Sequence, residues 1–210
     1  MSRTATLALL ALSVAGCVSL KRTPEPRLFV LRALASPAAE PAVPPPAPSG
    51  GEPVLALLGV RIPDHLERPQ LVVWAEPNEL RIDEFLRWAE PLDAGVTRTL
   101  ADDLQALLPS YRVVRAPWPA ATSPRCRLAT DLRVFGTQPD GRVTVEGSFT
   151  LLARAEERSL ARRPFAFARP AQAGPWEPGR AVEAMSELLV DVARDMAASV
   201  EALPPETEPS

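Results

Sequence analysis

The stretch RLATDLRVFGTQPDGRVTVEGSFTLLAR, residues 127–154, constrains the fold more than any other. In its first half Leu128, Thr130, Leu132 and Val134 alternate with polar neighbours; in its second half Val143, Val145, Phe149 and Leu151 do the same. A period of two places every second side chain on one face, so each half reads as a strand with one buried face. Pro139-Asp140-Gly141 between the halves is turn chemistry, and the pair is expected to close as an antiparallel hairpin.

Further strands are expected near 54–61, 71–76, 79–82, 111–115 and 160–168, and a short one in RLFVLRA, residues 27–33. Helices are expected near 90–108 and 178–202. In the first, Leu92, Val96, Leu100, Leu104, Leu107 and Leu108 form one stripe, with Arg98, Asp102, Asp103 and Gln105 on the polar face. Pro91 suits a first turn, and Glu90 suits the positive end of the helix dipole. In the second, Val182, Met185, Leu188, Leu189, Val192, Met196 and Val200 form the stripe, between Glu177-Pro178 and Pro204-Pro205. The simplest architecture that buries all these faces is α+β: a mostly antiparallel sheet with two amphipathic helices packed on one face.

The ends carry different information. Residues 5–15 form an apolar run too short to span a bilayer, behind Arg3 and before small residues, which is the layout of an export signal. Val14-Ala15-Gly16-Cys17 resembles the bacterial lipobox, in which cleavage precedes a cysteine that becomes the lipid-bearing N-terminus. Cys17 is then an anchor, since two or more acyl chains give lasting attachment. Val18 in place of an aspartate points to the outer membrane, with the domain facing the periplasm. The expected organisation is a signal peptide (1–16), a lipidated N-terminus and short tether (17–26), a first strand (27–34), a proline-rich spacer (35–53), a folded domain (54–203) and a loose tail (204–210). The spacer holds seven prolines in nineteen residues, too few apolar groups to offset the entropy of ordering it. With Cys17 acylated, Cys126 has no partner within the chain and reads as a small buried residue.

Little in the sequence points to catalysis. His65 is the single histidine, so a metal site has no second imidazole to draw on; a nucleophile–histidine–acid triad would have to use His65, but no Gly-x-Ser-x-Gly occurs and Ser148 lies on a strand with no nucleophile elbow. No Gly-rich phosphate loop occurs. A net charge of −3 without a basic block excludes a phosphate track for nucleic acid. No metal or cofactor is expected apart from covalent lipid, palmitate among its chains, on Cys17. Of the four tryptophans, Trp118 in APWPA and Trp176 in GPWEP sit in proline-flanked loops suited to anchoring an interface.

Residues 57–109 resemble the signature of the ABC-type transport auxiliary lipoproteins of PqiC/YmbA type. The matching positions are Pro63, Leu66, Arg68, Pro69 and Gln70, then Arg87, Trp88, Ala89, Glu90, Pro91 and Leu92. The lipobox, the strand at 27–33, the hairpin and the final helix fall where that family has them; the long proline spacer is a departure. The resemblance implies a non-catalytic periplasmic domain anchored to the outer membrane. Its implied partners are an inner-membrane ABC transporter and MCE-domain proteins that move lipids between the membranes, and it implies a ring-like homo-oligomer. Trp88 and Leu92 are expected in the core, with Arg87 and Glu90 fixing the turn into the helix; Arg68, Arg87 and Glu90 are the candidates for subunit contacts. The alternatives are a free-standing structural or assembly lipoprotein of the outer membrane and an envelope enzyme using His65 or Ser148.

Overall fold

A computed structural model describes residues 24–34, 51–153, 159–171 and 176–204. The lipobox with Cys17, most of the proline-rich stretch and the tail from residue 205 lie outside the described residues. The elements are β1 (Arg27–Phe29), β2 (Val54–Arg61), β3 (Gln70–Glu76), β4 (Glu79–Trp88), α1 (Leu92–Leu107), β5 (Arg112–Arg115), β6 (Cys126–Thr137), β7 (Arg142–Ala153), β8 (Ser159–Pro170) and α2 (Pro178–Glu201). A 3-10 turn, Asp64–Leu66, links β2 to β3.

The fold is α+β, with a single eight-stranded sheet. Its backbone is the antiparallel meander β6-β7-β8, whose long ladders make the sheet mostly antiparallel. The other edge of β6 is shared. β2 lies parallel along its first half, and β3 meets its end at Val73 and Thr137. β5 extends the first branch beyond β2, while β4 and then β1 extend the second beyond β3. The short parallel joins connect segments distant in sequence, which local periodicity does not specify.

The hairpin closes as expected: the Gly141 amide donates to the Gln138 carbonyl at 2.9 Å, and Gly141 takes φ +78°, where glycine is favoured. One expectation within it is corrected. Val134 is only half-buried and Phe135 takes the core position, because a bulge between Leu132 and Val134 shifts the phase of β6 by one residue. Gly147 sits opposite that bulge. A Cβ there would collide with the Asp131 carbonyl, so only glycine fits the close approach.

Both helices pack on the sheet and on each other, α1 over β2 and β5, α2 over β6, β7 and β8. The α2 stripe is buried as expected, and Glu177 caps it by accepting from the Arg180 amide at 2.9 Å. In α1 the leucine stripe is buried, but Asp103 leaves the polar face assigned to it and is wholly buried. Helical spacing sets Asp103 between Leu92 and Val96 on the inward face, and the chain before the proline-rich stretch covers it. Only residues 27–29 of the expected first strand join the sheet; residues 30–34 run on as an extended strap between the two helices. The Leu31 carbonyl accepts from Arg98 of α1 at 3.0 Å, the Arg32 amide donates to Ser186 of α2 at 3.1 Å, and the Leu34 amide donates to Asp103 of α1 at 2.6 Å. Leu31 and Ala33 face inward, whereas Leu28, Val30 and Leu34 face out.

Candidate functional site

Two segments far apart in sequence meet beside the start of α1. Pairing of β3 with β4 brings Gln70 opposite Arg87, and the Trp88 amide donates to the Pro69 carbonyl at 2.7 Å. The 62–69 turn is fixed by the 3-10 bond from the Leu66 amide to Pro63 at 2.8 Å and by burial of Leu66. On the other side the Ala89 amide donates to Phe29 of β1 at 2.9 Å. These bonds hold open a cleft of about 560 Å³ lined by Ile62, Glu67, Arg68 and Pro69 from one segment and by Trp88 through Asp93 from the other.

Trp88 and Leu92 are buried, as expected, and with Ile62 they form an apolar floor. The rim is charged. Arg68, Glu67 and Asp93 are exposed, and Glu90 is half-buried against Arg98, Oε1 to Nη2 at 2.6 Å. Glu90 lies just before the helix and pairs with Arg98 inside α1, while Pro91, expected in the first turn, precedes the helix as its N-cap. Gly95 leaves room for that pairing, since a Cβ there would lie 3.2 Å from Glu90 Oε1 and press the carboxylate aside by a few tenths of an ångström. An isolated glycine inside a helical pattern signals close approach, and this one was the available clue.

The lining contains no histidine, cysteine, serine, threonine, tyrosine or lysine; its ionisable groups are Arg68 and the carboxylates Glu67, Glu90 and Asp93. An apolar floor with a charged rim is the anatomy of a recognition site. Arg87 is on β4 between the buried Leu86 and Trp88 and therefore faces the other side of the sheet. Of the three motif residues expected at subunit contacts, the structure brings Arg68 and Glu90 together and sets Arg87 apart. Trp118 is half-buried after β5, and Trp176, 44% exposed, lines a separate cavity of about 330 Å³ with Trp74 and Leu71. His65 packs edge-on against Trp74, ring centroids 5.7 Å apart. Ser148 accepts from Arg162 at 3.4 Å on β8, and Cys126 is buried at the start of β6. No group of three or more metal-ligating side chains occurs among the described residues.

Comparison with known proteins gives a consistent picture. A family described as ABC-type transport auxiliary lipoprotein component matches residues 33–197. No curated protein matches the chain. A crystal structure of an uncharacterized protein is similar at 19% identity and TM-score 0.67, covering 84% of this chain and 99% of that one. A Xanthomonas campestris protein of the family DUF330 is similar at 20% identity and TM-score 0.60, covering 81% and 92%. At these identities the likeness establishes the fold.

Proposed function

The chain belongs to the ABC-type transport auxiliary lipoprotein family, and on that premise we propose that it is a non-catalytic subunit of an ABC/MCE-type system. That system moves lipids between the inner and outer membranes and supports envelope integrity. Cys17 carries the lipid anchor, palmitate included, and holds the domain on the outer membrane, facing the periplasm. The cleft between Arg68 and Asp93 receives another subunit, either a transport component or a second copy of this chain in a ring-like assembly.

The observation that carries this reading is the composition of the cleft. The residues shared with the family pattern, Arg68, Pro69 and Trp88 to Leu92, converge on one surface with an apolar floor and a charged rim, which supports a role in recognition. No helix among the described residues is long and apolar enough to cross a membrane, which fits attachment through a lipid.

The test is a pull-down from detergent-solubilised envelopes with a C-terminally tagged chain, comparing wild type with Cys17→Ala. Recovery of an MCE-domain or ABC protein with the wild type and its loss with the variant is the expected result. Recovery of the tagged chain alone would favour a free-standing outer-membrane lipoprotein instead.

A further inference from the structure

We propose that the outward face of β1 and the strap, Leu28, Val30 and Leu34, rests on the lipid surface that holds the anchor, so that the domain contacts the membrane through protein as well as through Cys17. Six large apolar side chains are exposed among the described residues, and these are three of them, at 63%, 48% and 56%. They alternate along one short segment and border a groove of about 660 Å³ shared with the flank of α2 that carries Val182, Ser186 and Val190. Concentrated apolar exposure of this kind marks a surface that something covers.

Three observations favour a bilayer. The first is chain length. Nine residues lie between Cys17 and Arg27, so even fully extended the tether spans no more than about 35 Å. The strap is therefore held at high effective concentration beside the membrane, where a modest apolar contact suffices. The second is hydrogen bonding. The strap is bonded to a helix on each side, Leu31 to Arg98 of α1 and Arg32 to Ser186 of α2, and what it presents outward is side chains. Beyond β1, these bonds take up the Leu31 carbonyl and the Arg32 and Leu34 amides, so those groups are not offered to a partner strand. The third is charge. Arg32 borders the groove together with Glu183 and Glu187, and Glu187 is paired with Arg169 at 3.2 Å. The balance suits an electroneutral headgroup layer. Trp176, exposed beside Glu177, which bonds Arg27 at 2.8 Å, lies at the same end of α2 and has the amphipathic character of a membrane-interface residue.

This inference rests on Cys17 being the anchor, and the test separates the two. Single cysteines are placed at Leu28, Val30 and Leu34, and at Asp93 and Arg162 as controls, in the full lipidated chain. Cys126 is buried and Cys17 acylated, so neither competes for the label. Each variant is labelled with an environment-sensitive fluorophore and reconstituted into phosphatidylethanolamine–phosphatidylcholine vesicles with or without brominated acyl chains. Mass spectrometry of the N-terminal peptide reports the lipid on Cys17.

The expected result is quenching of about twofold or more by brominated lipid at 28, 30 and 34 and none at 93 or 162. Equal, weak quenching at all five positions with the lipid present on Cys17 would overturn the proposal and leave the anchor standing. Shielding of the strap labels from an aqueous quencher without quenching by brominated lipid would also overturn it, in favour of a second copy or another protein. Absence of lipid on Cys17 would overturn both readings.

Discussion

Arg98 joins Glu90 to Leu31. Its guanidinium donates to the Glu90 carboxylate at 2.6 Å and to the Leu31 carbonyl at 3.0 Å, so one side chain ties the family motif to the strap that follows the anchor. Because the pair is about one-third exposed, its strength lies above that of a surface ion pair but below that of a buried one. Arg98→Ala is expected to cost about 1–2 kcal/mol in urea unfolding of the Cys17→Ala chain. A double-mutant cycle with Glu90→Ala should return a coupling of about 1 kcal/mol. Additive single mutants would show that the two groups act independently.

Asp103 makes stability depend on pH. Burial pushes its carboxyl up to about 6 from 3.8; the neighbouring Asp102 adds to this, while the Leu34 amide and Arg194 oppose it. A folded state that holds a carboxyl proton more tightly than the unfolded state gains most at low pH. This group's contribution is therefore full below about pH 4 and is lost as pH rises through about 6. A shift of two units bounds the effect at about 3 kcal/mol. Asp103→Asn should flatten the stability profile between pH 4 and 7, measured by denaturant titration at each pH. An unchanged slope in the variant would mean that other carboxyls set the profile.

Gly147 lies under the β6 bulge with the Asp131 carbonyl, Phe165 Cζ at 3.0 Å and Leu132 Cα at 3.1 Å in the way of any Cβ. Gly147→Ala should destabilise by about 1–3 kcal/mol or more, since the obstacle is backbone and cannot swing aside. A neutral effect on the thermal midpoint would show that the bulge relaxes freely.

Phe149 is fully buried on β7 and stacks toward Phe165, ring centroids 6.4 Å apart. Phe149→Ala should cost about 3–5 kcal/mol. Retention of a cooperative transition at near wild-type denaturant concentration would contradict the placement of the core under α2.

The α2 stripe, the β6–β7 hairpin with its turn and the burial of Leu92 are legible in the sequence because each depends on local period or local turn chemistry; Trp88 was expected in the core from the motif it shares with the family. What was illegible depends on distant chain. β4 runs to Trp88 rather than ending at residue 82 because β1 and the start of β3 pair with its last residues, and nothing local in DEFLRW announces that. Val134 lost its core place to Phe135 through a bulge, which has no signal in the alternation itself. Asp103 lies three residues after Leu100 and four before Leu107, so helical spacing already sets it among the apolar stripe; what the spacing does not show is the Leu34 amide that its carboxylate accepts. For the cleft, the motif residues were visible, but the separation of Arg87 onto the opposite face of the sheet followed only from knowing that β4 extends through it.

The proposed role of the cleft between Arg68 and Asp93 is to receive other subunits of a transport system. The most direct measurement places a photo-crosslinking amino acid at position 68 in the lipidated chain in living cells, with position 162 on the outer sheet face as control, and identifies the products by mass spectrometry. The account predicts a strong product at 68, with an MCE-domain or ABC component or a second copy of the chain, and little at 162. Absence of any product at 68 from cells in which the chain is correctly anchored would contradict it.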